Sequence, residues 1–328
     1  MARHGGKAQP KRKRANLWSS LKAALRGQES PSPTQSGHTL FDQYFQKRLE
    51  TLAIVSKRVF NGKQRSERRS KKKGSGVEFA DHRNYSPGDD IRFVDFRAYE
   101  RFGRLLVRLF EEEEDLSVYF IVDSSLSMGF GGGEKFDQAR RLCAALAYVA
   151  LANLDRVTIV TAGDQLEEHM PTTRGKGQVF KVLRFLEALK PSDNTNLGAA
   201  LRTFVARYRR RGLAVLISDL YDPNGFEHGI NMLRYNKFEP YVLHIVNPQE
   251  LSPEVRGDVR LVDCETREQR EVTLTDTLLE KIQQQGKAYQ NQISHFCHAH
   301  QVPYFPASTD DEFDELVLQV FRRGGFLR

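Results

Sequence analysis

The chain is 328 residues long and 39% apolar, enough for a sizeable core and about two domains of ordinary size. No apolar run approaches the roughly 20 residues of a membrane span, and no apolar stretch of signal-peptide length follows the basic start. Three scattered cysteines, Cys143, Cys264 and Cys297, form no Cys-x-x-Cys pair, which suits a reducing compartment and a cytoplasmic protein.

The net charge of +8 is local: residues 1–28 hold eight basic residues and no acid, and residues 57–73 hold nine against Glu67 alone. An equal acidic excess lies elsewhere. The first basic stretch reads as a solubilising tail, with nucleic acid, an anionic membrane or nuclear import as the competing readings. Only Trp18 and Phe60 fall among the basic residues of the two stretches, too few for a stacking platform on single strands.

Residues 1–37, basic and rich in Pro and Ser, read as a disordered tail and linker. Phe41, Tyr44, Phe45, Leu49, Leu52, Ile54 and Val55 predict a helix over 41–60, closed at Asn61-Gly62. Residues 74–115 alternate charges and aromatics around the turn Ser86-Pro87-Gly88-Asp89. There Asp89, Asp90 and Asp95 stand among Arg83, Arg92, Arg97 and Arg101. That predicts paired surface charges, because catalytic carboxylates need separation from neutralising partners. Leu105, Leu106, Val107, Leu109 and Phe110 predict an extended segment.

Val118-Tyr119-Phe120-Ile121-Val122 is β-branched and aromatic without a polar break, as in a strand buried on both faces of a parallel sheet. It runs into Asp123, Ser125 and Ser127 at alternate positions, then Gly129 and Gly131 to Gly133, then a strongly periodic helix over 136–153. Strands follow at 155–162, 166–170 (a short edge), 213–218 and 239–246, with helices over 178–189, 196–211 and 226–235. Residues 257–274 read as two short strands around Glu265-Thr266. A helix over 276–300, a last strand near Tyr304 and a helix over 312–322 close the chain. This alternation predicts an α/β fold with a doubly wound, mostly parallel sheet. The division expected is tail and linker 1–37, a small charged N-terminal segment 38–115, and an α/β domain 116–328 with a short β insertion at about 257–274.

The loop after the first strand sits at a strand's carboxyl end, where ligands of open α/β sheets bind. A phosphate cradle wants bare backbone N–H groups and a lysine. Neither Gly-x-Gly-x-x-Gly nor a P-loop closes here, and Asp123 would repel a phosphate. Oxygen-only ligands favour Mg²⁺ or Mn²⁺ over zinc. The same residues also fit a turn that merely caps the next helix. Two more oxygen-bearing loops fall at the same sheet edge, 192–198 with Thr195 and 218–222 with Asp219. Thr195 alone is an N-cap candidate and Asp219 alone a strand-end acid; their joint occurrence argues for a cation site.

Asp-x-Ser-x-Ser with Thr and Asp from two other loops resembles the metal-ion-dependent adhesion site (MIDAS) of von Willebrand factor A domains. Asp123, Ser125, Ser127, Thr195 and Asp219 match that motif in full. The resemblance implies that the serines and Thr195 coordinate Mg²⁺ or Mn²⁺, that the aspartates act directly or through water, and that an acidic residue of a protein ligand completes the shell. This is binding chemistry, so no enzyme is expected.

Gly76-Val77-Glu78-Phe79, Arg83-Asn84-Tyr85, Pro87-Gly88-Asp89-Asp90, Arg92, Asp95 and Arg101 are similar to the signature of the "domain of unknown function 58" family. The similarity continues through residues 257–273 and the closing Arg323-Gly324-Gly325, so it spans about residue 40 to the end. Phe96 stands where the family usually has tryptophan, and the membrane helices of many members are missing. The basic run 62–76 also matches the family and reads as domain surface before nucleic-acid site. The resemblance implies a cytosolic adaptor working with a MoxR-type AAA+ ATPase in a chaperone-like or complex-maturation role.

Enzyme motifs are absent: no Gly-x-Ser-x-Gly elbow, no His-Glu-x-x-His and no P-loop occur. A metal-dependent phosphoesterase would want further carboxylates and a general base. His295, Cys297, His298 and His300 are zinc-ligand types, but helical spacing spreads them over different faces.

Overall fold

The structure is a computed structural model that describes residues 40–60, 73–74, 78–111, 116–191, 196–253, 256–264 and 267–323. The tail, most of the second basic run and Thr195 therefore lie outside the described residues. In chain order the first elements are α1 (Gln43–Phe60), β1 (Lys73–Gly74), β2 (Glu78–Asn84), α2 (Phe96–Phe102) and β3 (Leu106–Glu111). Next come β4 (Ser117–Asp123), α3 (Glu134–Ala152), β5 (Arg156–Ala162), β6 (Leu166–Arg174), α4 (Val179–Ala188) and α5 (Leu197–Arg207). They are followed by β7 (Leu213–Ser218), α6 (Glu227–Tyr235), β8 (Glu239–Val246) and the short α7 (Pro248–Leu251). The chain continues with β9 (Gly257–Val262), β10 (Gln269–Leu274), α8 (Asp276–Ala299), β11 (Tyr304–Ser308) and α9 (Phe313–Arg323).

Six strands form one sheet in the order β11-β8-β7-β4-β5-β6. All neighbours are parallel except β5 and β6. Those two are joined by only Gly163, Asp164 and Gln165, and so short a connection permits antiparallel pairing alone. β6 runs four residues beyond the expected Met170, pairing to Arg174 against Arg156. Every residue of β4 and β7 is buried, because helices cover both faces of the sheet.

Strand side chains alternate between two cores. Val118, Phe120 and Val122 point to the side of α1, α3, α4 and α9, while Tyr119 and Ile121 meet α5, α6 and α8. α3 is buried almost all round, since α1 (Leu49, Leu52) and α4 (Val182, Leu186) cover the side away from the sheet. Its end is set by Leu154 at φ 64°, a left-handed residue that stops the helical ladder. The doubly wound, mostly parallel α/β fold expected from the alternation is the one observed.

Ahead of it, β1, β3 and β2 make a small antiparallel sheet carrying α2. The charges there pair as expected. Arg83 grips Asp89 through two bonds of 2.7 Å, and Arg92 holds Asp90. Asp95 instead bonds His82 at 3.0 Å and caps α2 through the N–H groups of Arg97 and Ala98. Phe96 is 59% exposed, so its exchange for tryptophan touches no core. Hairpin β9–β10 pairs in register from Gly257–Leu274 to Val262–Gln269. Among the described residues no helix is long and apolar enough to cross a membrane.

Candidate metal centre

The chain enters the sheet at β4, moves outward through β5 and β6, and returns to add β7 on the other side of β4. That reversal opens a crevice at the carboxyl ends of β4 and β7, the place where such sheets bind ligands. Asp123 ends β4, and Ser218 and Asp219 end β7. All three are buried.

Asp123 Oδ1 accepts from the Ser125 N–H at 2.9 Å, which turns the chain out of the strand into a 3-10 turn over Leu126–Gly129. That turn brings Ser125 Oγ and Ser127 Oγ to 3.0 Å, with Ser125 buried and Ser127 partly open. Asp123 Oδ2 accepts the Ser218 hydroxyl, whose oxygen takes the Leu220 N–H at 2.8 Å. The two strand ends are thus tied together through side chains. Burial, and next the charge of Asp219, push the Asp123 carboxyl up to about 7 against the hydrogen bonds of Ser125 and Ser218.

The loop with Asp219 is anchored from three sides. Asp219 Oδ1 accepts from the Tyr221 N–H at 3.1 Å, and Leu220 is left-handed at φ 60°. Tyr289 of α8 donates its hydroxyl to the Leu220 carbonyl at 2.6 Å and stacks on Tyr221 at 5.7 Å. Asp222 accepts the Leu197 N–H at 2.7 Å, so the start of α5 is fixed to this loop. The N-cap of α5 is Asn196, accepting from Ala199 at 2.9 Å, rather than Thr195. Asn196 also bonds Gly163 after β5 at 3.0 Å. The neighbour of Thr195 is therefore pinned between the loop after β5 and the loop after β7; Thr195 itself lies outside the described residues.

One side chain that sequence reasoning missed dominates the electrostatics. Lys135, in the first turn of α3, is fully buried, with Nζ 2.6 Å from Asp219 Oδ2 and 2.6 Å from Glu250 Oε1. Tyr221 and Phe130 stand around the ammonium, their ring centres 5.3 and 6.0 Å away. Burial pulls the Lys135 pKa down, but the charges of Asp219 and Glu250 outweigh it, and the value ends above the ordinary one. Glu250 is raised, by burial first, with Lys135 opposing. A signal was present: Lys135 precedes Ala139, Leu142 and Leu146 at helical spacing, on a face that is otherwise apolar. His244 at the end of β8 was missed as well. It is buried, bonds Tyr304 at 2.9 Å through Nδ1, and is lowered to about 4 by its burial.

The donor set fits a hard divalent cation. It offers two hydroxyls facing one another beside a carboxylate, with a second carboxylate on the adjoining loop. Among the described residues no three His, Cys, Asp or Glu side chains cluster as metal ligands, so a cation here depends on the serines. The His295 to His300 group stays apart. His295 and His298 are exposed, Cys297 is buried with its thiol pushed up to about 12, and His300 bonds the Phe296 carbonyl.

The uncharacterized proteins Rv1480 of Mycobacterium tuberculosis and Mb1516 of Mycobacterium bovis are each 24% identical to this chain over 212 residues, 63% of it and 67% of theirs. Similar solved structures include BatB from Bacteroides thetaiotaomicron, with 16% identity, covering 62% of this chain and 96% of that one at a TM-score of 0.39. Another is a von Willebrand factor type A protein from Catenulispora acidiphila, with 16% identity, 42% and 35% coverage and a TM-score of 0.33. A family model described as "Protein of unknown function DUF58" matches residues 81–292, a narrower span than residue 40 to the end. On that match the chain belongs to the DUF58 family.

Proposed function

We propose that this protein is a metal-dependent protein–protein interaction adaptor whose site is Asp123, Ser125, Ser127, Thr195 and Asp219, with Mg²⁺ or Mn²⁺ as the ion. The observation that carries the reading is the 3.0 Å approach of the Ser125 and Ser127 hydroxyls beside Asp123, at the reversal of the sheet. A bound divalent cation would supply a Lewis-acidic point that keeps an exchangeable position for a partner's carboxylate. The chain's own residues shape the approach to it. Ser127 opens on a cleft of about 400 Å³ walled by Phe130, Tyr221, Pro223 and Glu250, with Asp263 and Cys264 of the β9–β10 hairpin at its rim. Aromatic walls around a polar floor suit an acidic side chain presented on a protein loop.

We read the site as binding rather than catalytic, since the two serine hydroxyls face one another rather than a base. By family resemblance the partner is a MoxR-type AAA+ ATPase, in a chaperone-like or complex-maturation role. A pull-down from native lysate, with and without EDTA, comparing wild type and Ser127→Ala, tests this. Recovery of an ATPase by the wild type only when metal is present supports it. Equal recovery in EDTA, or by the variant, refutes it.

A further inference from the structure

We infer that Lys135 is a resident counter-cation of the metal site, one that holds Asp219 in the metal-free protein and must transfer to Glu250 before Asp219 can serve a divalent ion. The inference rests on the metal reading above and adds a means of regulating that site.

Every carboxylate oxygen at the crevice floor is already engaged. Asp123 is held by the Ser125 N–H and the Ser218 hydroxyl, and Asp219 by the Tyr221 N–H and the Lys135 ammonium. Of these donors only the ammonium carries a charge, and it is the one a divalent cation cannot stand beside without repulsion. Lys135 also has no route to bulk water, because its side chain is fully buried. A buried ammonium without a partner is very costly, so it can leave Asp219 only for another buried acceptor.

Glu250 supplies that acceptor. Its Oε1 already receives the ammonium at 2.6 Å, while its Oε2 is buried and has no hydrogen-bond partner among the described residues. A buried carboxylate oxygen left unsatisfied beside a triple donor is a vacant second seat for the same ammonium. Rotation of the lysine end would exchange the bond to Asp219 for one to Glu250 Oε2, keeping the charge buried and paired. Glu250 is itself held in place. Asn247 opens the turn that carries it, and its side chain sits where a Cβ on Gly131 would come within 2.6 Å of Nδ2. The acceptor is thereby locked against the glycine loop that precedes Lys135.

The test is calorimetry with MnCl₂ alone on wild type, Asp123→Ala and Lys135→Met. The expected result is binding that is at least about tenfold tighter in Lys135→Met, where the competing charge is gone, and lost in Asp123→Ala. Binding in Lys135→Met equal to or weaker than wild type, with Asp123→Ala still inactive, overturns the counter-cation and leaves the metal site standing. No binding in any of the three overturns both. Should Lys135→Met not fold, the wild-type protein decides through the NMR signal of its buried lysine ammonium, assigned by its loss in Lys135→Arg. That signal moves at saturating MgCl₂ if the ammonium changes partner, and a stationary signal overturns the inference.

Discussion

At Asp123 two effects act in one direction, since burial and the charge of Asp219 together raise its carboxyl from 3.8 to about 7. Between those values the folded protein keeps a proton that the unfolded chain has released, so this residue's contribution to stability falls as pH rises. Above pH 7 the cost is fully present. Asp123→Asn in EDTA should therefore melt at a higher temperature than wild type at pH 8, with the gain shrinking to nothing near pH 4. A variant that melts no higher at pH 8 would show that Asp123 bears no such cost. His244 acts in the opposite sense over the same window. Its pKa is lowered by burial from 6.5 to about 4, so its contribution is present above 6.5 and lost as pH falls through 4. The difference between variant and wild type, rather than either profile alone, carries the reading.

The same scale shows what a sequence reveals. Asp123, Ser125, Ser127 and Asp219 were legible because each follows a strand whose composition is unmistakable. Lys135 was less so, because a charged residue near a helix start is ordinarily a solvated one, and only the loop after β7 and the turn carrying Glu250 make its position interior. His244 within β8 and Glu250 after it belong to no motif, and only the sheet order brings them beside Asp219.

Among the elements, the strands were the most legible and their ends the least. The buried runs of β4, β7 and β8 declared themselves through composition, whereas β6 outran its apolar stretch because its pairing with β5 is made by the backbone. The helix after Thr195 was placed correctly in outline, but its cap fell one residue later, on Asn196, and it ends at Arg207 rather than Arg211. The close fit of β4 to β7 depends on Gly212, where a Cβ would lie 2.1 Å from the Ser117 carbonyl oxygen. Backbone cannot give way as a side chain can, so Gly212→Ala should lower the free energy of urea unfolding by about 1–3 kcal/mol or more. In α3, Leu146→Ala should cost about 2–5 kcal/mol for the cavity it leaves among fully buried neighbours. By contrast, Phe102, 68% exposed on α2, should tolerate Phe102→Ser within about 0.5 kcal/mol. Urea midpoints for the three variants check this ranking.

Across the whole molecule, elements far apart in sequence converge on one sheet edge. α8 holds the loop after β7 through Tyr289, and that loop holds the start of α5 through Asp222. On the opposite face α1 is fastened to α9, where Arg48 bonds Asp314 at 2.9 Å and Phe45 packs on Phe313 at 5.2 Å. A cation that binds only the folded site should raise the melting temperature with its concentration, reaching about 2.7 kcal/mol of added stability at one hundred times its Kd. The alternation of strands and helices made this architecture legible. The coupling between α8 and the crevice was not, because tyrosines at 221 and 289 carry no sign in the sequence that they meet.

The central claim is that one divalent cation sits at the reversal of the sheet between the ends of β4 and β7. Anomalous diffraction from crystals soaked in MnCl₂ tests it most directly. The account predicts a manganese peak within ligand distance of the Ser125 and Ser127 hydroxyls and of Thr195. Crystals that take up manganese elsewhere and show no peak beside those serines would contradict it.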